Sequence, residues 1–216
     1  AQGSAAASPP RSGLEPAAVR CEMGCCPCCG GRGLPVTPEK LEQDFGLMCS
    51  GYDRQTGATQ VTAEELRGWL DDPSQEVVIF DTRGENEHAV STLRGARLLT
   101  PTTGSMAKAL AGVGHVSFQT DMPRADSIPE TARVVCHCTA GLRSGFACTA
   151  LQKEWKVQGT ERTVYNLHGG IIAWVNSGGE VVDPGTGKPS TAVHTYGSKW
   201  QPFVREREDM KAVTAP

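Results

Sequence analysis

Apolar and polar positions along the chain follow two periods. Unbroken apolar runs at 77–80 (VVIF) and 134–136 (VVC), and the run TVYNL at 163–167, read as strands covered on both faces. Stretches with helical spacing lie between them. VTAEELRGWL at 61–70 carries Thr62 and, three residues on, Glu65, the reciprocal cap of a helix start. Further helices are predicted over 85–91, 144–155 and 171–176, with Ala147, Ala150 and Leu151 facing inward in the second. Residues 97–99 read as a short strand and 108–112 as a helical turn. Upstream, TPEKLEQDFG places Thr37 as N-cap, Pro38 at the first helical position and Gly46 as a stop, which leaves 49–60 rich in turns. Strands alternating with helices predict an α/β fold, a small parallel sheet flanked by helices on both faces. Sites in such sheets sit at the C-terminal strand ends.

Composition alters this picture mainly at the two ends. The 216 residues suffice for one compact domain with extensions. Residues 1–20, rich in Ala, Ser and Pro, are expected to be a disordered linker or the remnant of an organelle transit peptide. Residues 21–60 form a cysteine-rich extension, 61–178 the core domain and 179–216 a C-terminal extension. That last segment holds a turn cluster, DPGTGKP, then Tyr196, Trp200 and Phe203, then the charged run REREDMK. Its aromatics are expected to pack on the domain itself; the lesser alternative has them cover part of the mouth of the site.

Net charge is −3 and scattered, so no nucleic-acid partner is expected. The longest apolar runs are a few residues, so no membrane span is expected either. There is no apolar leader core near the start. Five of the nine cysteines crowd into 21–29, and two more flank His137, a poor arrangement for disulfides. A reducing compartment, cytoplasmic or organellar (mitochondrion or plastid), is expected rather than secretion. The pattern is as compatible with a monomer as with an oligomer.

The candidate chemistry is concentrated at 134–144, VVCHCTAGLRS. A buried strand delivers Cys138 to a short glycine-containing turn that ends in Arg143 and Ser144, where a helix begins. The positive end of that helix and the amides of the turn converge on the sulfur, which favours an anionic nucleophile there. Cys136, inside the apolar run, and Cys148, one turn into the helix, read as buried thiols. His137 should point away from the site by strand alternation and is taken as structural.

Four residues, Thr139, Ala140, Gly141 and Leu142, separate Cys138 from Arg143. The words HC, AG and RS are similar to those of cysteine-based tyrosine phosphatases and arsenate reductases, whose loops are one residue longer and encircle a tetrahedral oxyanion. The shorter loop resembles that of the rhodaneses, a family of sulfurtransferases. VVIFDTRGENEH (77–88) resembles that family's first strand and Asp-x-Arg turn. LRGARLL (93–99) resembles its Gly-Ala step, and VYNLHGGIIAW (164–174) its last strand, paired glycines and tryptophan-ended helix. The words run in the family's order over about 61–178. Two stretches depart: Ser91, Thr92 and Leu93 stand where Gly-His-Ile is common, and Thr139 where arginine is frequent. The stretch 104–130 is longer than usual, read as a helix followed by a flap.

The resemblance implies a sulfurtransferase that moves sulfane sulfur from thiosulfate, or a similar small anionic donor, to a thiol or cyanide through a persulfide on Cys138. Thr139, Ala140, Gly141, Leu142, Arg143 and Ser144 would bind the donor, with Asp81 and Arg83 bracing the loop as a structural ion pair. Gly169 and Gly170 meet a tight turn. No cofactor is required. The cluster CPCCGGRG has one C-x-x-C-x-G-x-G half-motif, so Cys21, Cys25, Cys26, Cys28 and Cys29 are weak candidates for zinc, with Cys49 able to complete a set. A persulfide relay and a spacer without fixed role are the other readings. Three rival functions are carried: a non-catalytic rhodanese-like binding module, a cysteine-based phosphatase or arsenate reductase, and a redox protein pairing Cys138 with an N-terminal thiol.

Overall fold

The computed structural model describes residues 36–205 and 209–214. In chain order the elements are α1 (Pro38–Thr56), β1 (Thr59–Val61), α2 (Ala63–Asp71), β2 (Val77–Asp81), α3 (Glu85–Val90) and β3 (Arg97–Leu98). Then come α4 (Thr103–Leu110), β4 (Arg133–His137), α5 (Leu142–Val157), β5 (Val164–Leu167), α6 (Gly170–Asn176), β6 (Ala192–His194) and β7 (Lys211–Val213). Short 3-10 segments cover Ala125–Ser127 and Ser198–Phe203.

The main sheet is parallel throughout, in the order β1-β5-β4-β2-β3. Its central strand, β4, places Cys136 beside Phe80 and Asn166, and His137 beside Asp81. The strand ends that carry Asp81, His137 and Leu167 therefore lie along one edge. Alternation along β4 sorts the core into two layers. Val135 joins Ile79, Leu167, Leu66, Ile171 and Val175 on one face. Val134 and Cys136 join Phe80, Val164, Cys148, Leu151 and Trp155 on the other, under α5.

Two expectations fail in informative ways. Gly46 does not stop α1, which continues to Thr56 and ends at Gly57 with φ +63°. An interior glycine costs a helix about 1 kcal/mol, and packing outweighs this: Cys49 and Thr56 are buried, and Gly145 on α5 leaves room for Thr56. The span expected to be turns thus holds the last two turns of α1 and the start of strand β1. Second, the turn read at 108–112 is the end of α4, which begins at Thr103 as the reading of 104–130 as a helix and then a flap had it, because Met106 and Ala109, one turn apart, bury together with Val116.

The aromatic tail packs on its own domain. Phe203 sits against Phe45 with centroids 5.4 Å apart, and Trp200 against Tyr52 at 6.5 Å, both on α1. Beyond them β6 and β7 form a two-stranded parallel pair that the alternation pattern did not reveal. Among the described residues no helix is long and apolar enough to cross a membrane.

Candidate active site

Cys138 follows directly on β4 and is 2% exposed. Its sulfur accepts the Gly141 N–H at 3.2 Å. Gly141 is the left-handed residue (φ +98°) that turns the loop into α5, and its carbonyl accepts the Asn166 side-chain amide at 3.0 Å. The loop is also gripped from below. The Ile171 N–H donates to the Cys138 carbonyl at 2.8 Å and the Ile172 N–H to that of Thr139 at 3.3 Å. With these carbonyls engaged by α6, the shape of the turn is fixed and the Gly141 N–H is held on the sulfur.

That grip depends on Gly170, which has φ +57° and lies so close that an added Cβ would stand 2.4 Å from the Cys138 carbonyl oxygen. Gly170→Ala is therefore expected to cost about 1–3 kcal/mol in stability. It should also alter the reactivity of Cys138. Urea unfolding and the rate of iodoacetamide labelling check this; unchanged values in both would refute it.

Arg143 is bound within the protein. Its guanidinium donates to both oxygens of Glu87, at 2.6 and 2.8 Å, and to the Thr139 hydroxyl at 2.8 Å. The Thr139 hydroxyl in turn donates to Glu87 at 3.1 Å. Glu87 is 3% exposed and also accepts the Gly84 N–H at 3.0 Å at the start of α3. Burial opposes the charge on each partner. The pairing overcomes it, so that Glu87 ionises below its usual range and Arg143 holds its proton more firmly than usual. On its outer face Arg143 meets the ring of Tyr196, 4.7 Å away, from the segment after β6.

The remaining loop positions divide by role. Ala140 is buried, and its carbonyl accepts the Cys49 thiol at 3.7 Å. Burial pushes the Cys49 thiol up to about 12, with Asp53 and Cys138 adding to it, so it stays protonated and holds the loop from the α1 side. Leu142 is half-buried at the first turn of α5, and the Ser144 hydroxyl is fully buried. Asp81 and Arg83 form a buried ion pair, with Nε and Nη2 at 2.9 and 2.7 Å from the carboxylate. Thr92 and His88 complete the carboxylate's shell at 2.8 and 2.9 Å.

His137 is fully buried, with Nε2 3.4 Å from the Thr92 hydroxyl and 3.8 Å from Asp81. Burial lowers its pKa from 6.5 to about 4, against the pull of the Asp81 charge. A depressed folded-state pKa means stability that is complete above the unfolded value and lost as pH falls. Acidification from above pH 6.5 towards 4 should thus remove up to about 3 kcal/mol. Urea midpoints at pH 7.5 and 4.5 test this; equal midpoints would contradict it.

Sequence reasoning read Cys49 only as a zinc candidate and Tyr196 only as a tail aromatic, with cover over the mouth of the site as the lesser alternative; it did not single out Glu87, Asn166 or His194. Only Glu87 left a local trace, as the acidic third residue of α3. Cys21, Cys25, Cys26, Cys28 and Cys29 lie outside the described residues. Among the described residues no three His, Cys, Asp or Glu side chains gather as a metal group.

Residues 62–177 match the rhodanese-like domain, and the chain belongs to that family. A sulfurtransferase of Allochromatium vinosum is 44% identical over 61 residues, 28% of this chain and 52% of that protein. The chain thus spans about half the length of this curated relative. Among solved structures, a thiosulfate sulfurtransferase from Pseudomonas aeruginosa is 21% identical with a TM-score of 0.40, over 63% of this chain and 22% of that one. A polysulfide-sulfur transferase homodimer from Wolinella succinogenes is 18% identical with a TM-score of 0.39, over 68% and 93%.

Proposed function

We propose that the protein is a sulfurtransferase that carries sulfane sulfur as a persulfide on Cys138. The observation that supports this most is the loop itself: a nearly buried sulfur accepts a backbone N–H, and the loop carbonyls of residues 138 and 139 are held by α6. The Cys138 sulfur attacks the outer sulfur of a small donor such as thiosulfate, and the leaving group departs with the electron pair. The loop amides and the N-terminus of α5 stabilise the resulting charged persulfide. A thiol or cyanide then takes the outer sulfur and restores Cys138. Arg143, tied to Glu87 and Thr139, holds the loop's shape. The presence of the nucleophile speaks against a purely binding module, and the short loop against phosphate transfer.

The test is intact mass of the purified chain after exposure to thiosulfate, mercaptopyruvate or glutathione persulfide, followed by thiocyanate release with cyanide. One added sulfur, discharged by cyanide, is expected with at least one donor. No added sulfur with any donor would overturn the reading in favour of a binding module.

A further inference from the structure

Beside the loop stands a pair of polar groups that the sulfur chemistry described so far leaves unused. His168 Nδ1 lies 2.7 Å from Asp53 Oδ2. A carboxylate only accepts, so Nδ1 carries the proton of the neutral ring and Nε2 keeps its lone pair. Nε2 has no hydrogen-bond partner among the described residues, and the side chain is 33% exposed. Asp53 Oδ1 is buried without a partner, so among the described residues this carboxylate bonds His168 alone.

The strands put this pair next to Cys138. In the parallel ladder of β4 and β5, Cys136 stands opposite Asn166. Two residues on, along the same face of the sheet, come Cys138 and His168. The backbone keeps them together past the last paired residues. Gly141, whose N–H is held on the sulfur, is backed by the Leu167 carbonyl and the Gly169 nitrogen, 3.6 and 3.5 Å from where a Cβ would stand. Those two groups flank His168. From the other side, α1 reaches the loop through the Cys49 contact with the Ala140 carbonyl and, one turn on, supplies Asp53. Helix α1 lies before residues 62–177, so the carboxylate comes from outside the domain that the family shares.

Transfer to a thiol poses a proton problem at such a site. A thiolate that approaches the outer sulfur of a charged persulfide meets like charge, and a thiol that keeps its proton is a poor nucleophile. We propose, on the basis of the sulfurtransferase reading above, that His168, oriented by Asp53, carries the proton in transfer to thiol acceptors. Nε2 takes the proton of R–SH as the thiol sulfur bonds to the outer sulfur of the Cys138 persulfide anion. The S–S bond to Cys138 breaks, and Cys138 leaves as thiolate with the electron pair. The proton passes from Nε2 to the transferred sulfur, which departs as R–S–SH. One proton and one negative charge stand on each side, and no oxidant or reductant enters. Sulfite poses no such problem: it attacks as a dianion, and its product, thiosulfate, leaves without a proton.

The experiment loads the full chain from thiosulfate or glutathione persulfide, removes the donor, and follows discharge of Cys138 in single turnovers by mass spectrometry. Glutathione and sulfite are the two acceptors. The ratio of their rates, glutathione over sulfite, should fall about a hundredfold in His168→Gln, the lower end of what a positioned proton carrier contributes. Glutamine can still donate to Asp53, which preserves the tie to α1. Asp53→Asn should lower the same ratio, because the tautomer and orientation of the ring are then unset. A purely structural role would slow both acceptors alike. An unchanged ratio in His168→Gln would therefore overturn the inference while the sulfurtransferase reading stands. If the wild-type chain takes up no sulfur from either donor, that reading falls, and this inference with it. Should His168→Gln not fold, the ratio in Asp53→Asn decides the matter in the same way.

Discussion

Cys138→Ser is expected to abolish sulfur loading and thiocyanate formation while leaving the fold in place. Serine is close to cysteine in size, and its oxygen can accept the Gly141 N–H that the sulfur now accepts. The site is already nearly closed to solvent, so the exchange adds no new exposed surface. Its hydroxyl, however, does not ionise near neutral pH and cannot hold a sulfane sulfur. Activity should fall by at least about 10³-fold, as for other removed nucleophiles. The melting temperature should move by no more than a few degrees, the shift that corresponds to about 1 kcal/mol. Thiocyanate production by the serine variant at more than a per cent or so of the wild-type rate would place the chemistry elsewhere. Cys49, whose thiol is held protonated, and the buried Cys136 and Cys148 are poor substitutes.

The largest expected loss of stability comes from Glu87→Ala. It leaves the Arg143 guanidinium without its carboxylate, and breaking such a buried pair costs about 3–5 kcal/mol. The loss reaches beyond the pair, because Glu87 also accepts from Thr139 in the loop and from Gly84 at the start of α3. Arg143→Ala should cost a similar amount by stranding Glu87. The double variant should cost distinctly less than the sum, since neither charge is then orphaned. Urea unfolding of the three variants and the parent supplies the cycle. Additive losses would show that the two residues act separately, contrary to the geometry.

These contacts also mark where local sequence stops being informative. The buried strands β2, β4 and β5 were legible because their apolar runs contrast with the polar turns around them. The capped start of α2 was legible because Thr62 and Glu65 satisfy each other within one turn. The loop from Cys138 to Arg143 is likewise contiguous, and its words resemble those of a known family, so the family was readable there. What was not legible depends on partners distant in the chain. Arg143 meets Glu87 across 56 positions, and Asn166 reaches Gly141 across 25. The survival of α1 through Gly46 depends on α5, which no local propensity contains. Tyr196 was visible as one of three tail aromatics that the lesser reading placed over the site, but which ring takes that place is set by φ and by the strand pair behind it, not by residue type.

The grip of α6 on the loop has a consequence for the order in which the molecule becomes competent. Strand β4 and Cys138 are translated before the amides of Ile171 and Ile172, which fix the loop's carbonyls. Strand β1 cannot pair until β5 exists, a separation of more than a hundred residues. Contacts of such span form slowly relative to local ones. The loop is thus made early and fixed late. A growing or partly folded chain carries Cys138 on an unbraced loop, and the docking of the last core helix gives that loop its fixed shape.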